Sequence, residues 1–169
     1  GHVTGVQTCA LPISNLRREA QARGVSPGRL IFAKRMSLEE HLARLKLADL
    51  VLDTLPYGAH TTASDALWAG VPVLTRAGGA FAGRVAMSLL NAVGLPELAV
   101  SSPGEYQALA LDLARNGSRF AALKAKLAKN REDWPLFDTA RVTRNLESVY
   151  AEMHRRHLNG EAPASFAVA

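Results

Sequence analysis

The sequence is poor in three kinds of feature, and each shortage excludes a class of protein. It has one cysteine, Cys9, among 169 residues, so it forms no internal disulfide and no multi-cysteine metal site, which favours a reducing, cytoplasmic setting. Aromatic residues make up only 6% of the chain, and the net charge of +5 is not clustered, so no nucleic-acid partner is expected. No apolar run approaches the roughly 20 residues that span a bilayer, so no membrane association is predicted.

The two ends of the chain differ from its middle. Residues 1–13 (GHVTGVQTCALPI) contain no Asp, Glu, Lys or Arg and no helical or strand periodicity, and we interpret them as a non-native junction. Residues 158–169 are small, rich in Ala and Pro and aperiodic, and they are predicted to form a flexible tail. The segment between them, 14–157, has the length of about one domain.

Residues 14–157 alternate between helical and strand patterns. The predicted helices span 15–23, 38–48, 61–69, 81–93, 103–115, 118–131 and 139–157, and the predicted strands span 30–33, 49–53, 71–75 and 98–100. This order predicts an α/β fold with a Rossmann-like, doubly wound parallel sheet and a long C-terminal helix. Ligands of such a sheet bind at the carboxyl ends of its strands.

The last predicted helix carries an apolar stripe. Five side chains share this stripe at helical spacing: Val142, Leu146, Val149, Tyr150 and Met153. We expect the stripe to pack across the sheet or against a neighbouring lobe.

The segment GAHTTASDALWAG (58–70) lies between a predicted buried strand and the helix that follows it. We expect free backbone N–H groups at Thr61, Thr62 and Ala63, where the positive end of the helix dipole favours an anion such as a diphosphate. The alternative is that Thr61 or Thr62 only caps the helix, which is the commoner role of threonine at a helix start.

Two side chains next to these threonines also have two interpretations. Asp65 follows Thr61 by four residues, on the same helix face, and suits either a ribose diol or complementation of the helix dipole. His60 precedes the helix and suits either a phosphate oxygen or a loop carbonyl.

A basic cluster precedes and opens the helix predicted at 38–48. Lys34 and Arg35 follow the strand predicted at 30–33, and they fit a ligand contact or a solvated turn. His41 and Arg44 lie three residues apart, so both can face the same crevice at the strand ends.

Other common site motifs are missing. The turn AGGAFAGR (77–84) matches neither G-x-G-x-x-G nor a P-loop, because Arg84-Val85 stands where a P-loop has Lys-Ser/Thr. His154 and His157 form an H-x-x-H pair without a third ligand nearby in sequence, so no metal site is predicted.

Three stretches together resemble the carboxyl-terminal catalytic lobe of the protein O-linked N-acetylglucosamine transferase family, including its bacterial and SPINDLY-type members. They are 29–75 (RLIFAKRM to VPVLT), 81–95 (FAGRVAMSLLNAVGL) and 134–153 (WPLFDTARVTRNLESVYAEM). The resemblance covers about 14–157 and implies one nucleotide-sugar-binding lobe of a GT-B glycosyltransferase.

The resemblance implies inverting transfer of N-acetylglucosamine from UDP-N-acetylglucosamine to Ser or Thr of a protein acceptor, with no metal and no cofactor besides the donor. It also implies an N-terminal transferase lobe and tetratricopeptide repeats outside this sequence, so the fragment alone is expected to be inactive. A related transferase using GDP-fucose or UDP-glucose, and a non-catalytic nucleotide-binding module, are the alternatives.

By position in the family, each candidate residue receives a role. His60, Thr61 and Thr62 match the loop that stabilises the leaving diphosphate, and Ala63 continues it, while Asp65 matches the residue that holds the ribose. The other matching positions are His41 and Arg44 on the preceding helix and Arg35 and Met36 in the loop that brackets the uracil. Leu38 departs from the family, since animal members have a donor-contacting lysine there, which leaves the donor open.

Overall fold

The computed structural model describes residues 6–167, and the side chains from residue 11 onward. This part of the chain forms two compact units, one ending at Ser37 and the other beginning at Leu38. Among the described residues, no helix is both long and apolar enough to cross a membrane.

The first unit contains one long helix, α1 (Val6–Ala22), and a 3₁₀ turn at Pro27–Arg29. Gly24 follows the helix with φ of +75°, a left-handed conformation that glycine adopts without strain. The guanidinium of Arg17 lies 5.3 Å from the centre of the Phe32 ring.

Two sequence predictions for this unit are wrong. Helix α1 begins at Val6 rather than near residue 15. It continues through Pro12, although proline lacks the N–H group that a helix interior uses. Residues 30–33 form no strand, because a strand needs a hydrogen-bonded partner and none pairs with them in the described part of the chain.

The second unit is built on a three-stranded parallel sheet. Its strands are β1 (Val51–Leu52), β2 (Val73–Arg76) and β3 (Ala99–Val100), in the order β1-β2-β3. Val51 pairs with Val73, and Thr75 pairs with Ala99, so β2 is hydrogen-bonded on both sides. The prediction of an α/β fold with a parallel sheet is confirmed.

Helices connect and cover these strands. Their bounds are α2 (Leu38–Leu45), α3 (Thr61–Trp68), α4 (Val85–Ala92), α5 (Pro103–Arg115), α6 (Gly117–Asp133) and α7 (Thr139–Leu158). Helix α4 is shorter than the predicted 81–93, because Phe81–Gly83 forms a separate 3₁₀ turn before it. The predicted long C-terminal helix is present as α7.

The core of the second unit lies between β2 and the helices α3, α4, α5 and α6. Leu67 of α3, Val73 of β2, Leu90 of α4 and Leu127 of α6 are fully buried in it. Burying a leucine or valine side chain contributes about 1.5–3 kcal/mol, so this cluster fixes where α3 begins and ends relative to β2.

One of the two sequence alternatives predicted that the apolar stripe of α7 packs across the sheet. This alternative is wrong. No residue of α7 is buried, and Val142, Leu146, Tyr150 and Met153 are all about half exposed. The other alternative, contact with a neighbouring lobe, stays a prediction.

The tail after α7 has no regular secondary structure over 161–167. Phe166 nevertheless contacts α7, since the Arg156 guanidinium lies 4.9 Å from the centre of its ring. Residues 168 and 169 of the predicted tail, and residues 1–5 of the predicted junction, lie outside the described residues.

Candidate functional site

The amino end of α3 lies just beyond the carboxyl end of β1, which is where the sequence predicts an anion site. Thr61 and Thr62 open the helix and are exposed. The residue before them, His60, makes no side-chain capping bond, and no acceptor among the described residues bonds to the N–H of Thr61 or Thr62. These two amides therefore point from a helix start without a protein partner.

Ala63 differs from this expectation. Its side chain is fully buried, and its N–H donates to the carbonyl oxygen of His60 at 3.1 Å, as does the N–H of Ser64. The prediction of a free Ala63 N–H is therefore wrong, because the first turn of α3 already uses this donor. Its side chain packs in the core instead.

His60 adopts the loop-carbonyl alternative of its two predicted roles. Its Nε2 donates to the carbonyl oxygen of Ala82 at 3.2 Å. The imidazole stacks on Tyr57, with ring centres 5.2 Å apart, and meets the edge of Phe81 at 6.0 Å. Because a carbonyl only accepts, Nε2 is the donor in this contact and carries a proton.

The loop before α3 is joined to the loop before α4. The Ala82 carbonyl accepts a second bond from the N–H of Gly58 at 3.1 Å. A Cβ at residue 58 would lie only 3.1 Å from this carbonyl oxygen and 3.1 Å from Asp53 Oδ2. A side chain at residue 58 would push against both oxygen atoms, so glycine suits the close approach of the two loops.

An open depression of ≈ 470 Å³ lies over this region. It is lined by Thr54, Tyr57, Gly58, Ala59, His60, Thr61 and Thr62. The depression is thus formed by the loop and by the exposed start of α3.

Helix α2 brings a second set of predicted residues to α3. Arg44 Nη2 lies 3.0 Å from His41 Nδ1, and His41 Nε2 lies 3.7 Å from Asp65 Oδ2. Since arginine only donates, His41 Nδ1 accepts and Nε2 carries the proton that faces Asp65. At 3.7 Å this contact is longer than a hydrogen bond, so the Asp65 oxygens keep their capacity to accept from a ligand.

The structure thus brings together the predicted residues His60, Thr61, Thr62 and Asp65 on α3 and its loop, with His41 and Arg44 beside them. Arg35 and Met36 are exposed and belong to the first unit, as does Lys34. Their part in the site stays a prediction.

Three residues at the site were not identified from the sequence. Asp53, directly after β1, is buried and accepts a hydrogen bond from the Ala59 N–H. Thr75 of β2 and Tyr106 of α5 also bond to Asp53. The available signal was a single carboxylate at the end of an apolar strand, which needs partners when it is buried.

Burial raises the pKa of the Tyr106 hydroxyl, and the nearby Asp53 carboxylate raises it further. The hydroxyl donates to the backbone carbonyl of Asp53 at 2.8 Å. Tyr106 is therefore a neutral donor at physiological pH and fixes the end of β1 to α5.

Among the described residues, no three His, Cys, Asp or Glu side chains come together in a way that could hold a metal ion. The groups that can face an anion are instead the two open amides of α3 and its dipole. Beside them, the Asp65 carboxylate can accept bonds from hydroxyls such as a ribose diol. This combination suits a nucleoside diphosphate.

Comparison with known proteins identifies the family of the chain. The family model "Glycosyl transferase family 41" matches residues 9–146. A probable UDP-N-acetylglucosamine–peptide N-acetylglucosaminyltransferase SEC of Arabidopsis thaliana is 42% identical over 153 residues, which is 90% of this chain and 16% of that protein. The probable SPINDLY transferase of Oryza sativa subsp. japonica is 42% identical over 125 residues, which is 74% of this chain and 14% of that protein.

A solved structure is also similar. The K341M mutant of an O-GlcNAc transferase from Thermobaculum terrenum has a TM-score of 0.77 and 38% identity, over 85% of this chain and 28% of its own. The chain therefore spans only about a seventh of the curated relatives and under a third of the solved one. From the match over residues 9–146, this chain belongs to glycosyltransferase family 41.

Proposed function

We propose that this chain is the donor-binding part of a protein O-glycosyltransferase that transfers N-acetylglucosamine from UDP-N-acetylglucosamine to Ser or Thr. The supporting observation is the start of α3, where two exposed threonines present open amides at the carboxyl end of a parallel strand. The relatives' names, which include UDP-N-acetylglucosamine as donor and peptide as acceptor, agree with such a site.

Each residue has a role in the proposed complex. The amides and hydroxyls of Thr61 and Thr62, with the α3 dipole, bind the diphosphate and stabilise the charge that develops as it leaves. His60 fixes the loop next to this anion through its bond to the Ala82 carbonyl, and Asp65 accepts bonds from the ribose diol. The open amides and the dipole of α3 face the diphosphate, so the proposal requires no metal.

In this proposal, other parts of a longer protein carry out the rest of the reaction. The acceptor hydroxyl attacks the anomeric carbon with inversion while the diphosphate leaves, and this needs a second lobe to position the acceptor. Tetratricopeptide repeats for acceptor binding, a cytoplasmic location and inactivity of this chain alone are further parts of the proposal.

The binding of UDP to the full 169-residue chain tests the proposed function. We expect UDP to bind equally well in EDTA and in Mg²⁺, and more tightly than GDP, by calorimetric titration. The Asp65→Asn variant should weaken UDP binding by about 1–3 kcal/mol, the range of a charge-assisted hydrogen bond. A 2′,3′-dideoxy analogue should lose little further affinity in that variant, because the bond it lacks is already gone.

Asp112→Asn is the matched control, since Asp112 is an exposed aspartate paired with Arg119 on α5 and α6. This variant should bind UDP as the parent chain does. A strict requirement for a divalent metal would contradict the proposed site. An Asp65→Asn variant that still distinguishes ribose from dideoxyribose would contradict the role of Asp65.

A further inference from the structure

Asp53 lies behind the proposed diphosphate site and is a buried residue, only 6% exposed. Its Oδ1 accepts from the N–H of Thr54 at 2.8 Å and from the N–H of Ala59 at 2.7 Å. Its Oδ2 accepts from the hydroxyl of Thr75 at 2.7 Å. Burial of a carboxylate is costly unless such bonds replace water, and three short bonds do so here.

The two bonds to Oδ1 determine the shape of the loop 54–60. They tie both ends of this loop to one oxygen atom, so the loop leaves β1 and returns to it at Ala59. Ala59 is followed directly by His60 and by the first helical residue, Thr61. The position of the Ala59 amide therefore sets where the open amides of α3 begin.

Two further elements hold Asp53, one through its carboxylate and one through its backbone. Thr75 belongs to β2, whose neighbours Val73 and Leu74 are fully buried, so its hydroxyl is a fixed donor. Tyr106 of α5 holds the backbone carbonyl of Asp53 at 2.8 Å. A shift of the carboxylate would break bonds to the sheet as well as to the loop.

We propose that Asp53 is a positioning residue, which holds the loop 54–60 so that the Thr61 and Thr62 amides converge on the donor diphosphate. Asp53 does not contact the donor, since both of its oxygens face protein donors in a buried position. This inference rests on the proposed function. According to this inference, the hydrogen bonds of one carboxylate position the groups that bind the diphosphate, and not those that bind the nucleoside.

The Asp53→Asn variant of the full chain tests this assignment. Asparagine has the same shape, but its NH₂ group can only donate and its oxygen is uncharged. Facing Thr75, the NH₂ group makes the hydroxyl an acceptor, and the N–H groups of Thr54 and Ala59 lose their charged acceptor. We expect the affinity for UDP to fall about tenfold, the scale of one lost hydrogen bond, and the affinity for uridine to stay within about twofold. Uridine lacks the diphosphate, so the ratio of the two affinities reports on the diphosphate half alone.

Nuclear magnetic resonance titration of the labelled chain measures both weak affinities in one format, and Asp112→Asn serves again as the matched control. A residue with only a structural role would lower both affinities by the same factor, and that result, or an unchanged UDP affinity, would overturn the inference. If the parent chain itself binds no UDP, the proposed function fails instead, so the two failures are distinguishable.

A second pair of variants decides the question if Asp53→Asn does not fold. Thr75→Val removes the bond to Oδ2 without a change in shape and should lower the UDP-to-uridine affinity ratio. Thr75→Ser keeps the hydroxyl and should restore the ratio of the parent chain. Equal ratios in the valine and serine variants would overturn the inference.

Discussion

Helix α3 has eight residues, three of them buried, whereas α7 has twenty residues and none buried. At their amino ends, the longer helix has a side-chain cap and the shorter one has none. Asp138 caps α7 by accepting from the Arg141 N–H at 2.8 Å, but His60 provides α3 with no side-chain cap. Packing holds α3 in place, so its first amides are open to a ligand, while α7 depends on its own local bonds.

Core packing allows a short helix such as α3 to keep its first amides open. An isolated helix of eight residues is not stable in water, and leaving its first amides without a cap would weaken it further. The buried face of α3 overcomes both costs. The free amides of α3 are therefore maintained by the core residues on its other side.

Replacement of one leucine in each helix tests this difference and has the largest expected effect. Leu67→Ala in α3 removes a side chain with 0% exposure and should lower the free energy of unfolding by about 2–5 kcal/mol. Leu146→Ala in α7 removes one that is 47% exposed and should lower it by about 0.5 kcal/mol or less.

Urea denaturation of the two variants and the parent chain measures both values. Each variant is the control for the other, because both make the same chemical change within a helix. Equal losses would mean that the apolar stripe of α7 is covered in solution, which would remove the contrast between the helices.

The next effect concerns the helix caps. Asp138→Ala leaves the Arg141 N–H without its acceptor and should lower the free energy of unfolding by about 1 kcal/mol. Circular dichroism during thermal denaturation measures the loss, and Asp138→Asn, which keeps a capping oxygen, should retain most of the stability. An equal loss in both variants would show that charge near the helix start, rather than the cap itself, stabilises α7.

Much of the fold could be predicted from local sequence signals. Helix α5 begins and ends as predicted, because Ser102 and Glu105 form a capping box and local residues specify its start. The strand predicted at 30–33 failed, since an apolar run becomes a strand only when another strand pairs with it. That pairing depends on distant residues that a local pattern does not contain.

The site residues also fall into those that local spacing relates and those that only the fold brings together. Thr61, Thr62 and Asp65 share one helical turn, and His41 and Arg44 share another, so helical spacing alone predicted each group. The contacts of Asp53 with Thr75 and with Tyr106 join residues 22 and 53 positions apart. No periodicity relates such residues, and only the folded sheet brings them together.

The smallest expected effect comes from the surface ion pairs of α7, whose side chains are about a quarter to a half exposed. Glu152 contacts Arg155 at 2.7 Å and Arg156 at 2.8 Å, and the hydrogen bonds from Arg155 and then Arg156 lower its pKa to about 2. A lowered pKa stabilises the folded chain above the ordinary glutamate pKa of about 4.3, and this contribution is lost as the pH falls toward 2.

Solvent and salt screen exposed pairs strongly, so Glu152→Gln should change stability only slightly at neutral pH. The difference between variant and parent should shrink further at high salt and disappear as the pH falls below 2, as measured by thermal denaturation. A large difference that salt does not reduce would mean that these pairs, and not the backbone bonds and the cap, hold α7.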